Sequence, residues 1–354
     1  MKATTMIPAA DLAKIPKAEL HCHLEGALDL KMLWEFSQRH EAGRYASFDE
    51  FKAAATIPKG TAPGFKAFLG KFEAYRFHFG TLDDVRNLVW ESVFNYSVNC
   101  LHTEFRFSPV FFARRQLKGD AARDPNVPHS LVEETATAII ETVSEAIDII
   151  GRWDTGIFLT CDRTFGLGVN KSALDLLHRP IGQKISGLDL AGDESANASD
   201  FIKPFREWKD AGKLITIHAG EDPNAGGPRN IIEALDVFKA DRIGHGVRAI
   251  EDEALVEYLA ESKIPLEICP TSNVQTGAVS SAAAHPIKKL FDAGVCVTIN
   301  TDDPTICGTT LEKEYAFAAR LGMSKYNLTQ CTRNSIRASL LSKVQKNQAL
   351  GYCK

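Results

Sequence analysis

Four segments of the sequence place histidine and carboxylate side chains at the point where a short apolar run ends. The chemically active residues of these segments are His21, His23, His218, Glu221, His245, Asp302 and Asp303. Neutral imidazole nitrogens and carboxylate oxygens are ligands that suit Zn²⁺ when it keeps one position open for water. A water molecule held by zinc ionises near neutral pH, so this set of residues indicates a hydrolase.

Each segment also has an ordinary structural explanation. A His-x-His pair occurs on protein surfaces and in cores as well as in metal sites. His218 would suit a hydrogen-bonded position at a strand end, with Glu221 exposed beside it. The Asp-Asp-Pro sequence that begins at residue 302 would suit a helix N-cap or a turn. The metal hypothesis therefore depends on a fold that brings all four segments to one place.

The spacing of the first histidine pair helps to select a ligand set. Residues two apart on a strand point to the same face, so His21 and His23 can reach one point. Three nitrogens and one carboxylate oxygen would suit a catalytic zinc. The predicted ligands are His21, His23, His218 and Asp302. The groups then left to move protons nearby are Glu221, His245 and Asp303.

Short apolar runs alternate with amphipathic stretches along most of the chain. The predicted strands are residues 18–23, 103–108, 156–160, 185–190, 214–218, 242–246, 265–268 and 295–300. The predicted helices include residues 132–150, 201–211, 231–239, 252–262 and 286–293. This alternation favours parallel strands, and eight of them predict an α/β fold of the (β/α)8 TIM barrel type, with an open doubly wound sheet as the alternative. A barrel would collect the polar strand ends at one mouth.

The region between the first and second predicted strands, residues 25–101, interrupts this alternation. It looks helical and carries aromatic residues, so we expect extra helices inserted after strand 1. An insertion at this point lies over the catalytic face of a barrel and is a candidate lid. No repeat, low-complexity tract or Pro/Gly/Ser-rich linker divides the chain, so residues 1–354 are predicted to form a single barrel domain.

Charge and hydrophobicity argue against several classes of protein. The formal net charge is −4 and no dense Lys/Arg run occurs, so nucleic acid is not the expected partner. No apolar stretch reaches the roughly 18 residues of a membrane span, and residues 1–15 lack a signal-peptide pattern. The eight cysteines are scattered without a C-x-x-C pair, which favours reduced thiols and a cytoplasmic location. The oligomeric state is left open.

Eight segments, in order, resemble the motifs of the adenosine deaminase family, the metal-dependent hydrolases that deaminate adenosine and AMP. They are residues 16–26, 68–72, 104–109, 188–194, 217–221, 242–246, 269–273 and 300–304. Residues 163–166, Arg-Thr-Phe-Gly, resemble the bacterial branch in particular. The resemblance covers nearly the whole chain. It implies hydrolytic deamination of adenosine and 2′-deoxyadenosine to the inosine product plus ammonia in purine salvage, with one Zn²⁺ per chain.

The resemblance also implies a role for each motif residue. Glu221 would donate a proton to purine N1, and His245 would orient the water or help to deprotonate it. Asp303 would hydrogen-bond to N7, and the backbone of Gly192 would contact N3. The implied zinc ligands are His21, His23, His218 and Asp302, and the implied substrate contacts are His23, Glu25, Gly192 and Asp303. The lysine that bridges two metals in binuclear amidohydrolases is not expected, which favours one zinc.

A group of apolar residues lies within the insertion at helical spacing. Its members are Phe65, Phe68, Leu69 and Phe72. The spacing predicts an amphipathic helix that packs on the barrel. The family resemblance implies an apolar gate over the substrate, and one helix can serve both purposes.

One residue departs from the family pattern. Adenosine deaminases usually have Leu-Asp-Gly after the second histidine, and that aspartate reaches the ribose, whereas this chain has Leu24-Glu25-Gly26. Glutamate is common here in relatives that deaminate adenine or aminodeoxyfutalosine, so these purines are alternative substrates. Ile243 and Gly244 before His245 favour adenosine, because adenine-specific relatives tend to carry aspartate before that histidine.

Two further classes of protein remain as alternatives. A binuclear amidohydrolase that cleaves an ester or amide would use the same barrel but hold two metals. A non-catalytic relative would use the barrel only for binding. The presence of all four predicted ligands together with Glu221 argues against the second class, because a degenerate site would be expected to lose at least one of them.

Overall fold

The computed structural model describes residues 7–40, 43–58, 60, 64–75, 80–117, 126–151, 153 and 156–353. Its central element is one sheet of eight parallel strands that pair in chain order, β1 to β8. The strands are β1 Ala18–His23, β2 His102–Phe107, β3 Ile157–Asp162, β4 Gly187–Ala191, β5 Leu214–Ala219, β6 Arg242–His245, β7 Pro265–Ile268 and β8 Cys296–Ile299. This arrangement confirms the predicted (β/α)8 barrel.

The sheet curls until its first and last strands meet at the carboxyl-terminal end. The backbone N–H of His23 donates to the carbonyl of Asp302 at 2.9 Å, and the N–H of Asp302 donates to the carbonyl of His21 at 2.9 Å. Closer to the strand centre, the side-chain amide oxygen of Asn300 accepts from the N–H of Leu20 at 3.0 Å. The open-sheet alternative is therefore wrong, and the near closure of the barrel places Asp302 against the histidine pair.

The strand predictions agree with the structure to within two residues at each end. β1 and β7 have the predicted bounds, β3 ends two residues later than predicted, and β4, which was expected from residue 185, begins two residues later at Gly187. Ile185 is buried, but it precedes the strand, and its carbonyl accepts a hydrogen bond from the side chain of Lys213. Burial at the base of the barrel therefore mimics the apolar pattern of a strand.

Helices follow the strands around the outside of the barrel and fill the predicted insertion. The α-helices are α1 Ala9–Ala13, α2 Leu30–His40, α3 Phe48–Ala55, α4 Phe65–Leu69, α5 Leu82–Ser97, α6 Pro109–Arg114, α7 His129–Ile150, α8 Gly166–Leu174, α9 Ile202–Asp210, α10 Pro228–Asp236, α11 Glu253–Ser262, α12 Pro270–Gln275, α13 Ile287–Asp292, α14 Pro304–Cys307, α15 Leu311–Arg320, α16 Lys325–Ala338 and α17 Lys343–Tyr352. The five predicted helices are α7, α9, α10, α11 and α13, with ends that differ by up to three residues.

The insertion between β1 and β2 contains α2 to α5, and its aromatic side chains pack together as part of the main hydrophobic core. The rings of Trp34 and Tyr45 lie 5.7 Å and 5.4 Å from the ring of the fully buried Phe51. Backbone hydrogen bonds then tie the insertion to the short helices that follow β7 and β8, since Gly64 donates to Gln275 of α12 and Ile57 donates to Ile306 of α14. These ties place α4 over the carboxyl-terminal mouth of the barrel.

The barrel interior contains buried charge in addition to apolar side chains. Arg242 pairs with Glu104 at 2.7 Å and with Glu267 at 2.7 Å, and Arg106 pairs with Glu267 at 2.8 Å. These four side chains are at most 1% exposed. Buried ions are tolerated only when they are paired, and removal of one partner is strongly destabilising. The interior is therefore a layer of linked ion pairs that lies directly beneath the polar strand ends.

Within the part of the chain that the structure describes, no helix combines the length and apolar character needed to span a membrane. All eight cysteines carry free thiols, and Cys296 is the one that is not fully buried.

One buried histidine lies far from the polar strand ends. His285 is 5% exposed, its Nδ1 accepts from the N–H of Ile287 at 3.2 Å, and its ring packs against that of Phe317. Burial lowers the pKa of His285 from 6.5 to about 3. Below pH 6.5 the unfolded chain binds a proton at His285 that the folded protein excludes. This histidine therefore leaves the free energy of unfolding unchanged above pH 6.5 and lowers it as the pH falls toward 3.

We therefore predict that His285→Gln flattens the acid side of the stability profile. Between about pH 7 and pH 5, the free energy of unfolding of the parent protein should fall more steeply than that of the variant, by up to about 1.4 kcal/mol per pH unit. Urea denaturation at matched zinc content measures the difference. The exposed His129, replaced in the same way, should leave the slope unchanged; equal slopes for the parent and His285→Gln would contradict the prediction.

Candidate active site

The carboxyl-terminal mouth of the barrel brings the four predicted metal ligands together. His21 and His23 come from β1 and His218 from β5, while Asp302 follows β8 directly. One nitrogen or oxygen atom from each of the four lies within 4.8 Å of the others, and all four residues are buried. The strand-end pattern predicted this convergence, which the ordinary explanations of the separate segments do not require.

The side-chain contacts within this cluster are those expected around a cation. The Nε2 atoms of His23 and His218 face each other at 3.2 Å, and Asp302 Oδ1 lies 3.3 Å from His21 Nε2. His21 Nε2 is buried without a hydrogen-bond partner. Burial lowers the pKa of His23 and of His218, so both rings are neutral at pH 7 and have a lone pair to give. The donor set therefore fits a zinc ion.

Buried carboxylates orient two of these rings from below. His21 Nδ1 lies 2.9 Å from Glu267 Oε2, and His218 Nδ1 lies 2.9 Å from Asp189 Oδ1. Each Nδ1–H donates to its carboxylate, which leaves the Nε2 lone pair directed at the cluster. Arg106 lies between the two acids, 2.8 Å from Glu267 and 3.4 Å from Asp189.

The sequence motifs did not reveal these supporting residues. Burial opposes ionisation of Asp189 and Glu267, but the first is held ionised by His218 and Arg106 and the second by Arg106 and Arg242, and the pKa of each lies below its usual range. The available signal was a single acid inside an otherwise apolar strand, in Gly-Leu-Asp-Leu and Pro-Leu-Glu-Ile. A carboxylate there must have a buried partner.

Glu221 and His245 lie beside the ligand cluster. Glu221 Oε2 is 3.3 Å from His245 Nε2, and both side chains are buried. Burial first, and then the charges of Asp302 and Glu194, raise the pKa of Glu221 well above its usual range, which favours its protonated form. On its other side, His245 Nδ1 lies 3.0 Å from the side-chain amide nitrogen of Asn273, a partner that sequence reasoning missed.

Two of these residues have a strained backbone. His245 has a φ of 59° and Asp302 a φ of 66°, in the left-handed region that residues other than glycine rarely adopt. Such strain persists only where the surrounding structure enforces it, and it concentrates at functional sites. Here it turns both side chains out of the strand direction and into the cluster.

Glu25 and Asp303 face the site from the opposite side. Glu25 Oε1 accepts a hydrogen bond from the backbone N–H of Ser108, while Glu25 Oε2 and Asp303 Oδ1 are buried without partners. Burial raises the pKa of Glu25 to about 8, and burial with the nearby Asp302 and Glu25 raises that of Asp303 well above its usual range. A Cβ on Gly26 would lie 1.8 Å from Asp303 Oδ1, so only glycine permits this approach.

A cavity of about 560 Å³ opens from the cluster toward solvent. Its lining includes His23, Glu25, Gly192, His218, Glu221, Asp302 and Asp303, together with Phe65, Phe68, Leu69 and Phe72 from the insertion. Gly192 has a φ of 90°, and a Cβ there would lie 2.0 Å from Asp162 Oδ1, so both the backbone conformation and the neighbouring aspartate require glycine at this point of the lining. Phe65 and Phe68 are buried, as the packing prediction requires, and they also form one wall of the cavity.

Comparisons with known proteins agree with this geometry. The family model for adenosine deaminase matches residues 16–352. The adenosine deaminases of Salmonella typhi and Yersinia pseudotuberculosis are 33% and 35% identical to the chain, covering 94% and 95% of it and 96% of each relative. The crystal structure of an adenine deaminase from Arthrobacter aurescens aligns with a TM-score of 0.82 at 25% identity, covering 96% of this chain and 98% of that one. The resemblance found in the sequence motifs is confirmed.

The geometry predicts that Asp189 controls metal affinity without touching the metal. Asp189→Asn removes the charge that orients His218 and makes its ring a better donor, so the zinc dissociation constant should rise about 10- to 100-fold. Competition with a chromophoric chelator measures this constant.

Glu314→Gln is the matched control, because Glu314 is an equally buried acid that accepts from the backbone N–H of Thr271 and is not part of the ion-pair layer beneath the ligands. It should lower thermal stability but leave the zinc constant unchanged. The same loss of affinity in both variants would show that Asp189 acts only through general stability.

Proposed function

The chain belongs to the adenosine deaminase family, and we propose that it removes the 6-amino group of adenosine and 2′-deoxyadenosine by hydrolysis, with one Zn²⁺ per chain. The observation that carries the proposal is the buried cluster of three histidines and Asp302 with Glu221, an acid of raised pKa, beside it in one cavity. A cation site and a proton donor at one point are what addition of water to a purine ring requires.

The ligand set supports a single ion. Two groups of potential ligands occur among the residues that the structure describes, and both contain His21 and Asp302, so they overlap in space. Among the described residues that line the cavity there is no lysine that could bridge a second metal. When bound, zinc would lower the pKa of a water molecule and so supply a nucleophile at neutral pH.

Glu221 would donate a proton to the purine, and His245 would position the attacking water. Because the pKa of Glu221 is raised, this residue can hold a proton and donate it to purine N1, which relieves the negative charge that builds up when water adds at C6. His245 lies 3.3 Å from Glu221 and 4.0 Å from Asp302, where it can hold the water by a hydrogen bond and orient it toward the ring. Burial keeps the pKa of His245 well below its usual range, so its ring is neutral.

Asp303 and Gly192 would recognise the purine ring. Purine N7 accepts hydrogen bonds but cannot donate them, so a carboxyl group that binds it must be protonated. Asp303 meets this requirement, since its pKa is raised and its Oδ1 has no protein partner. The Gly192 backbone, across the cavity, would contact N3, with His23 as a further contact.

Glu25 would bind the sugar. Glu25 lines the cavity; its Oε1 is occupied by Ser108, while its Oε2 has no protein partner and can exchange a hydrogen bond with a ribose hydroxyl. A glutamate in place of the usual aspartate keeps an acceptor there but changes its reach. The second candidate is therefore a related 6-aminopurine, either adenine, the substrate named for the Arthrobacter aurescens enzyme, or an N9-extended nucleoside such as aminodeoxyfutalosine.

The apolar side chains of the insertion would act as a gate. Phe65, Phe68, Leu69 and Phe72 form a wall of the cavity, and their displacement would admit substrate while their return would exclude bulk water.

The reaction product, inosine, would pass to purine salvage. The eight free thiols support a cytoplasmic location, and the small cavity with its acidic groups supports a nucleoside rather than nucleic acid as the partner.

Replacement of the proposed proton donor tests the chemistry. Glu221→Gln keeps the shape of the side chain but removes proton delivery, so kcat should fall by about 100- to 10,000-fold. The zinc content and the affinity for the product inosine should not change. The loss of the adenosine absorbance band measures turnover, and near-normal kcat in the variant would contradict the role of Glu221.

Replacement of Glu25 tests the identity of the substrate. Glu25→Asp shortens the side chain by one methylene and installs the residue usual in adenosine deaminases, so the ratio of kcat/KM for adenosine to that for adenine should change by about tenfold, the size of one hydrogen bond to the sugar. Ammonia release with adenosine, 2′-deoxyadenosine, adenine and aminodeoxyfutalosine gives the ratios. An unchanged ratio would show that Glu25 does not touch the sugar, and a parent enzyme that prefers adenine would overturn adenosine as the substrate.

A further inference from the structure

The carboxylate of Glu194 is surrounded by hydrogen-bond donors from one turn. Its Oε2 accepts from the N–H of Gly220 at 2.8 Å, and its Oε1 accepts from the N–H groups of Glu221 at 2.6 Å and Asp222 at 3.1 Å. The side-chain amide of Asn230 donates to Oε2 at 2.9 Å. Four donors fill the acceptor capacity of one carboxylate, so Glu194 is committed to this turn.

The turn that Glu194 holds is the one that carries the proposed proton donor. Gly220 has a φ of 74°, and a Cβ there would lie 2.8 Å from the side chain of Ile231, so the turn is packed tightly from outside. Arg248 binds two backbone carbonyl oxygens of the same turn: its backbone N–H donates to the carbonyl of Gly220, and its guanidinium donates to the carbonyl of Asp222. Glu194 alone secures three consecutive N–H groups of this turn.

Glu194 does not line the cavity that contains Glu221. It lines a second, polar cavity behind the turn, together with Asn224, Arg229 and Asn230. A substrate in the first cavity would therefore meet Glu221 but not Glu194. Any effect of Glu194 on the reaction must pass through the backbone of residues 220–222.

We propose that Glu194 is a positioning residue for the reaction, because it fixes the backbone of residues 220–222 from behind and so aims Glu221 at the purine ring. The inference rests on the proposed function in so far as it assigns proton donation to Glu221. A side chain displaced by about 1 Å from a reacting atom can cost about 100-fold in rate, so a small shift of this turn would be measurable.

The first test replaces Glu194 by Gln, which keeps the size of the side chain but presents an amide to donors that need an acceptor. We expect kcat for adenosine to fall about 100-fold, with KM and the zinc content unchanged. The matched control is Glu233→Gln, which removes an exposed acid from the same second cavity and should leave kcat at the parent value. Equal kcat in the two variants would overturn the proposal.

A double variant separates positioning from general damage. If Glu194 acts only through Glu221, then Glu194→Gln should cause no further loss of kcat in the Glu221→Gln background. A purely structural role would give the full loss in both backgrounds, and that result would also overturn the proposal.

A measurement without turnover tests how Glu194 holds the turn separately from the proposed function. Hydrogen exchange of the amides of residues 220–222 should become about tenfold faster in Glu194→Gln, the effect of losing hydrogen bonds to a charged acceptor. Unchanged exchange would overturn the proposal. If the parent protein fails to deaminate adenosine, the proposed function fails, yet faster exchange would still show that Glu194 holds the turn.

Asn230→Ala provides a milder variant in case Glu194→Gln does not fold. It removes one of the four donors but keeps the carboxylate, so kcat should fall about two- to tenfold with unchanged KM, and exchange at residues 220–222 should rise. A variant that folds with parental kcat and parental exchange would count against the positioning role.

Discussion

The buried ion pairs beneath the histidines are the interaction on which the site depends. Arg106 lies between Glu267 and Asp189, and each of these acids accepts a hydrogen bond from one histidine of the cluster. Buried charges are costly, and loss of one partner costs about 3–5 kcal/mol. An aliphatic interior would be easier to stabilise but could not orient the rings of His21 and His218. The buried ion pairs are therefore explained by their role in orienting the histidine rings of the cluster above them.

Burial and neighbouring charges also divide the carboxyl groups at the mouth of the barrel into one with a lowered pKa and two with a raised pKa. The neighbouring histidines favour the ionised form of Asp302, against the effect of burial, and its pKa is well below the usual range. Burial and the charge of Asp302 then raise the pKa of Glu221 and of Asp303. One group can therefore bind a cation while two neighbours can donate protons, although all three are ordinary acids in the sequence.

Much of the fold and of the candidate site was predictable because it follows from local pattern. The strand ends gave His21, His23, His218 and Asp302 directly, and eight apolar runs predicted the barrel that unites them. The supporting residues were not predictable in the same way. Glu194 lies inside a family motif, but nothing in its spacing indicates that it accepts from the turn after β5, and the partnership of Asn273 with His245 has no local signal.

The sequence by itself determined which residue types end each strand and the order in which the strands follow one another. Those properties depend on periodicity, which is local. Only the tertiary structure decided that Asp302 meets His21 across the closure of the barrel, and that the pKa of Glu221 is raised while that of Asp302 is lowered. Distances between remote strands and the loss of solvent around a charge depend on the packing of the whole chain, and no short stretch of residues contains that information.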